Sequence, residues 1–219
     1  MIRSAIRSLI RKKLGETTAQ FWSDAELNTW INDGCRDIAF YTKCLRTNKK
    51  MNITESTSDY TLSTFDSTLT AILEVYYYQD GNSWERIEST SREQLDAESP
   101  GWKSDDDSTP QKYWWSREED KIGFWPPPDG ANDGDEYAHI YFSKDHADLS
   151  LDTASPALPT FLHPAIVDYV VATGQETRGS TDLANNTWNS YFTKLRGYMT
   201  ERHREKEDET IVMRSYRSM

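Results

Sequence analysis

The sequence predicts an α+β fold: N- and C-terminal helices forming an antiparallel helical bundle, with an inserted antiparallel β domain and an extended C-terminal tail. Three observations carry it. Residues 1–47 space their apolar side chains three and four apart, residues 51–143 alternate and turn like strands, and residues 161–206 return to helical spacing. Two chain ends with apolar helical stripes bury them against each other, which leaves the β segment between them. The expected divisions are a discontinuous helical bundle at 1–50 and 160–207, a β domain at 51–145, a linker at 146–159 and a tail at 208–219.

Ile2, Ala5, Ile6, Leu9, Ile10 and Leu14 form the first stripe, ended by Gly15, with Arg3, Arg7, Arg11 and Lys12 off it. The second helix opens at Trp22-Ser23-Asp24-Ala25-Glu26: Ser23 is placed as N-cap, Glu26 as its reciprocal partner, and Trp22 and Leu27 as a hydrophobic staple. Its face, Leu27, Trp30, Ile31, Gly34, Ile38, Tyr41 and Leu45, runs to about Thr47, and Gly34 leaves room for a close helix crossing.

Strands are expected at Asn52–Thr54, Asp59–Leu62 and Leu69–Tyr78, the last turning at Asp80-Gly81-Asn82 into Trp84–Ile87. A short helix over Ser91–Glu98 takes Thr90 or Ser91 as cap. Tyr113–Trp115 and Ile122–Trp125 pair across Arg117–Asp120, and Pro126–Pro128 end that strand. Glu136–Phe142 alternates, with Ala138, Ile140 and Phe142 on one face and Tyr137, His139 and Tyr141 on the other. Pro164 opens the next helix with Ile166, Val167, Val170 and Val171 buried. Gly179-Ser180 breaks it before a last helix built on Ala184, Trp188, Tyr191, Leu195 and Tyr198.

Composition limits function. Only 36% of residues are hydrophobic, yet eight Trp and twelve Tyr are present, the composition of a modest core with contact faces. The net charge of −11 is uneven: residues 1–50 are basic, residues 51–160 carry seven Lys/Arg against twenty-three Asp/Glu, and residues 161–219 balance. The acidic middle argues against gripping DNA, which requires phosphate neutralisation. No apolar run is long enough to span a membrane, and the first residues lack the pattern of a signal peptide. Cys35 and Cys44, roughly 13 Å apart if they share one helix, are too distant to bridge and read as free thiols of a reducing compartment.

No catalytic pattern emerges. Asp129–Gly134 half matches a calcium loop but has Ala131 where an oxygen ligand is needed and Ile140 where the closing carboxylate belongs, so it reads as a turn. His139, His146, His163 and His203 lack metal-ligand spacing, and neither a nucleophile elbow nor a phosphate-binding loop is present. Neither a cofactor nor a metal is expected. Tyr113-Trp114-Trp115 with Phe124-Trp125 either fill the β core or, if exposed, stack on sugars. The second case would make the chain a carbohydrate-binding β module using Trp114 and Trp125.

Several stretches resemble the head-to-tail adaptor (connector) proteins of tailed bacteriophages. Trp22-Ser23-Asp24-Ala25-Glu26-Leu27 followed by Trp30-Ile31-Asn32-Asp33-Gly34 is similar to the family's opening. Pro110 to Trp115, then Ile122-Gly123-Phe124-Trp125-Pro126-Pro127-Pro128, resemble its aromatic strands. Leu158-Pro159 and Phe161 to Tyr169 resemble the entry to its C-terminal helix. The acidic loops at 103–109 and 129–136 and the tail after Arg204 depart from the family's pattern.

The resemblance implies a structural virion protein of the neck, assembled in the host cytoplasm. It would be monomeric when free and dodecameric as a ring between the portal protein and the tail or nozzle proteins, with DNA passing through the lumen. Joined to the residue reading, it gives three expected surfaces. Ile211, Val212, Met213, Arg214, Tyr216 and Arg217 dock on the portal, by strand addition or another mode. Arg3, Arg7, Arg11 and Lys12 meet acidic surface on a neighbouring protomer or the portal. Trp114, Trp115 and Asp129 face the tail.

Overall fold

The computed structural model describes all residues except 17, 20, 80–82, 130–136 and 217–219, and leaves the side chains of 79, 83, 104, 137, 203 and 205–216 undescribed. The chain divides into two compact units, one of Met1–Leu45 with His146–Met219 and one of Arg46–Asp145.

The first unit holds α1 (Arg3–Leu14) and α2 (Asp24–Thr42), then α5 (His163–Thr177) and α6 (Thr181–Tyr216). The capping box forms as the sequence indicates: Ser23 accepts from the Glu26 amide and the Glu26 carboxylate accepts from the Ser23 amide. α2 ends at Thr42, earlier than its apolar face implies, because Lys43 turns into the left-handed region and Arg46 already begins a strand. α5 buries Ala165, Ile166, Val167, Val170, Val171 and Ala172, more than one face can hold. A helix apolar nearly all round sits inside, and α1, α2 and α6 all pack on it.

Where α2 crosses α5, a Cβ on Gly34 would lie 2.9 Å from Cδ1 and 3.2 Å from Cγ of Tyr169. The Tyr169 ring is itself boxed by Trp188 and Tyr191, with centroids 5.3 and 5.7 Å away. Gly34→Ala is therefore expected to lose about 1–2 kcal/mol in a urea melt, overpacking outweighing the better helix propensity of Ala.

The second unit is a seven-stranded sheet of order β1-β7-β3-β4-β5-β6-β2. Its strands are β1 (Arg46–Asn52), β2 (Asp59–Thr61), β3 (Leu69–Gln79), β4 (Ser83–Ser89), β5 (Lys112–Ser116), β6 (Lys121–Trp125) and β7 (Tyr137–Lys144). The short helices α3 (Leu62–Phe65) and α4 (Arg92–Glu98) interrupt it, with Ser91 capping α4. Both edge strands line one cleft of about 390 Å³, walled by Lys49–Asn52, Tyr60, Thr61, Thr64 and Phe65, so the sheet curls back on itself. Val75, Tyr77, Ile87, Ile122, Phe124, Ala138, Ile140 and Phe142 fill its inner face.

The class is α+β, but the expected arrangement is corrected in three respects. The terminal helices do not form an antiparallel bundle; they gather round α5. The sheet is not wholly antiparallel, since β4 and β5 run parallel (Glu88 opposite Lys112, Ser89 opposite Tyr113). The cause is α4, a helical crossover between consecutive strands that returns the chain in the same direction. Finally, the C-terminal segment is not extended, because α6 stays helical to Tyr216.

Candidate interaction surfaces

The N-terminal cations are engaged inside the helical unit. Arg3 donates to the Leu149 carbonyl and, at 2.8 Å, to Asp152, while Arg7 reaches Asp152 at 2.9 Å and Asn28 at 3.0 Å. Hydrogen bonds from Arg7 and then Arg3 hold the Asp152 carboxyl down at about 2. Arg11 is 8% exposed and ties Glu16 (3.0 Å), the Trp22 carbonyl (2.9 Å) and Asp24 (2.5 Å) together; Glu16 also takes Arg178 at 2.6 Å. Of the four residues expected at a protomer interface, Arg3, Arg7 and Arg11 therefore fasten α1 to its own unit, and Lys12 is the one that is exposed. Sequence spacing placed them off the apolar stripe but could not show the carboxylates waiting for them at Asp152, Asp24 and Glu16.

Two further polar joints lie in this unit. Asp168 on α5 is 2% exposed and accepts from Lys13 of α1 (2.8 Å) and from Ser190 (2.9 Å) and Lys194 of α6. Burial alone would raise its carboxyl, but these donors outweigh it and hold the group below the ordinary range. The buried Tyr191 hydroxyl donates to Asp37 of α2; burial, then that bond, pushes the phenol up, and burial raises Asp37 as well. Cys35 and Cys44 are free thiols, and burial drives Cys35 up to about 12.

In the sheet unit, the residues expected to face the tail separate. Trp114 is 3% exposed. Its ring lies on Gly123 of β6, under the Arg92 guanidinium at 3.7 Å, with Leu95 and Trp102 beside it. It is core, which leaves Trp115 and Asp129, both half-buried, as the members of that trio with accessible surface. Trp125 is half-buried and donates its indole N–H to Asp105 at 2.8 Å. The calcium-like stretch beyond Asp129 lies outside the described residues.

Half-exposed and exposed rings occur elsewhere on the sheet, over β7, β3 and β4. Tyr76 and Tyr78 of β3, Trp84 of β4 and His139 and Tyr141 of β7 form a continuous row, with neighbouring centroids 5.0–5.6 Å apart. Trp84 is 45% and Tyr141 37% exposed. Asn48 of β1 holds His139 at 2.8 Å. The signal was available as alternation in β3, where Val75 and Tyr77 point inward and Tyr76 and Tyr78 therefore outward.

α6 makes its last described anchor on its own unit at Arg202, which donates to the Thr42 carbonyl at 2.7 Å. From there the backbone stays helical to Tyr216. The side chains of Ile211, Val212, Met213, Arg214 and Tyr216, and the whole of Arg217, lie outside what is described. Among the described residues, no three His, Cys, Asp or Glu side chains are grouped to hold a metal ion, and no helix is long and apolar enough to cross a membrane.

Arg3, Arg7 and Arg11 close into internal nets, a row of aromatic rings lies outward on the sheet, and the α6 backbone continues beyond its last described anchor. The SU10 adaptor protein family model matches residues 1–215, and the chain belongs to that family of bacteriophage head-to-tail adaptors. Its role is that of a structural phage adaptor, a component of the virion that associates with other head and tail proteins. A search of curated proteins found no match.

Proposed function

We propose that copies of this chain form a dodecameric ring between the portal and the tail or nozzle proteins, with the genome passing through the lumen. The observation that carries the portal contact is the run of α6 beyond Arg202, about fourteen residues or ~21 Å of helix. That run ends in Ile211, Val212, Met213, Arg214 and Tyr216, with Arg217 after it. With the backbone helical to Tyr216, the docking mode is a helix laid in a groove of the portal and not an added strand. Free copies stay monomeric, and the docking tail at 208–219 couples assembly to the portal. The genome is conveyed without sequence readout, in keeping with a sheet unit of ten Lys/Arg against twenty-one Asp/Glu. Lys12 contacts a neighbouring protomer, and Trp115 and Asp129 contact the tail, readings supported by the accessible surface each keeps.

The test mixes the full chain with the portal protein of its own phage and images the product by electron microscopy. A second ring stacked on the portal is the expected result, and deletion of residues 208–219 should abolish it while leaving the thermal midpoint of the chain unchanged and lowering its helical signal only by the turns removed. Undiminished stacking by that truncation would remove the tail from the portal contact. A carbohydrate-binding reading required Trp114 and Trp125 as exposed rings; with Trp114 in the core and Trp125 tied to Asp105, it loses its platform.

A further inference from the structure

The outward ring row is an aromatic surface of the sheet unit that neither the core nor the portal contact uses. Its electrostatics differ from the rest of the unit. The strand positions that share its face through register and alternation place Arg46, Lys50 and Arg86 among the rings, against the carboxylates of Glu74 and Glu88, with Arg86 lying 3.8 Å from Glu74. The unit as a whole carries twice as many acids as bases. A face of Tyr, Trp and Arg with a slight cationic balance has the composition of an interface centre, and its complement is a rigid acidic projection.

The same unit carries such a projection. The loop Asp105-Asp106-Asp107, which leads into β5, is pinned at both ends. Asp105 accepts from the Trp125 indole, Asp107 accepts from Ser56, and the Ser108 amide donates to the Pro127 carbonyl at 2.7 Å. Asp106 is left exposed between the pins. A loop held this way loses little conformational freedom on docking. The ring row spans β7, β3 and β4 and the acidic loop adjoins β5, so the two patches occupy different halves of one sheet. Two different, complementary patches on one molecule make a heterologous contact, which closes into a ring when the rotation allows.

We propose that the ring row of one copy receives the Asp105–Asp107 loop of the next, joining sheet units head to tail. This deepens the ring reading above by naming the protomer–protomer face. It is tested on the concentrated full chain without portal, where a disulfide captures the brief encounters of copies that are monomeric at equilibrium, so that its failure stays separable from failure of portal docking. In a Cys44→Ser background, Trp84→Cys and Asp106→Cys are combined, and disulfide formation is driven with a mild oxidant. The expected result is a ladder of dimers, trimers and longer multimers on a non-reducing gel from the double variant, with none from either single variant. Tyr141→Cys in place of Trp84→Cys should give the same ladder, which guards against a local effect of losing the indole. Circular dichroism confirms that each variant is folded. A folded double variant that stays monomeric in both pairings overturns the proposal. So does dimer formation by Trp84→Cys alone, which would show the ring rows pairing with each other. The portal reading stands or falls separately on the stacked ring.

Discussion

Replacing Lys13 and Lys194 together by Met is expected to lower stability by about 3 kcal/mol at neutral pH, near the low end for stranding a buried charge. Asp168 is 2% exposed, and its two ammonium partners come from α1 and α6, the elements that flank α5. Met keeps the length and helix propensity of Lys, so the loss reads the charge and not the packing. Ser190 still donates to the carboxylate, which keeps the loss at that lower end.

The pH dependence supplies the sharper reading. In the wild type the folded carboxyl lies below its unfolded value. Its contribution is therefore present above the unfolded pKa of about 3.9 and is lost as pH falls through the folded one. Without the lysines, burial is left as the dominant influence and the folded value rises above the unfolded one. This group then favours the fold at low pH and opposes it as pH climbs. Urea melts from pH 4 to pH 8 should show the variant's deficit growing with pH. A deficit that is constant across that range would mean that Asp168 is not the stranded group.

The two lysines and the buried carboxylate illustrate what the sequence could and could not disclose. Periodicity located the helices because the apolar stripes of Ile6, Ile10, Leu27, Ile31, Val167 and Val171 are consequences of local geometry. It also sorted the faces of β7 correctly, with Ala138, Ile140 and Phe142 inward. Pairings across long sequence separations carry no local trace. Asp168 stands between Val167 and Tyr169 with nothing beside it to announce Lys13, and Arg3 gives no hint of Asp152. The same limit applies to the sheet. The helix at 92–98 was legible, but its consequence, a parallel β4–β5 pair, depends on where the chain returns. β1, with Arg46, Lys49 and Lys50, is too polar to read as a strand and exists because β7 pairs with it; charged side chains are also what protects such an edge. For the candidate surfaces, the clustering of Trp114, Trp115 and Trp125 in sequence drew attention to rings that the fold largely covers. Tyr76, Tyr78, Trp84, His139 and Tyr141 are scattered over three strands and meet only when those strands are in register.

Gly123→Ala is the change expected to damage the sheet unit most, with a loss of about 3 kcal/mol. Its Cβ would lie 2.3 Å from Cε2, 2.4 Å from Cζ2 and 2.5 Å from Nε1 of Trp114, the residue opposite it across the β5–β6 pair. A flexible side chain could swing away from such a contact, but this one is a rigid indole closed in by the Arg92 guanidinium at 3.7 Å and by Leu95 and Trp102. The strands must separate or the ring must leave its pocket, and either outcome uncovers the contact that seats α4 on the sheet. Tryptophan emission should shift to the red along with the fall in thermal midpoint. The decisive control is Trp114→Leu in the same chain. Alone it costs stability by removing the ring, yet combined with Gly123→Ala it should restore part of the loss, a coupling of at least ~1 kcal/mol between the two sites. Simple additivity would mean that the methyl group acts through the β6 backbone and not through the indole. Recovery instead would show that residue 123 has no side chain because residue 114 occupies the space.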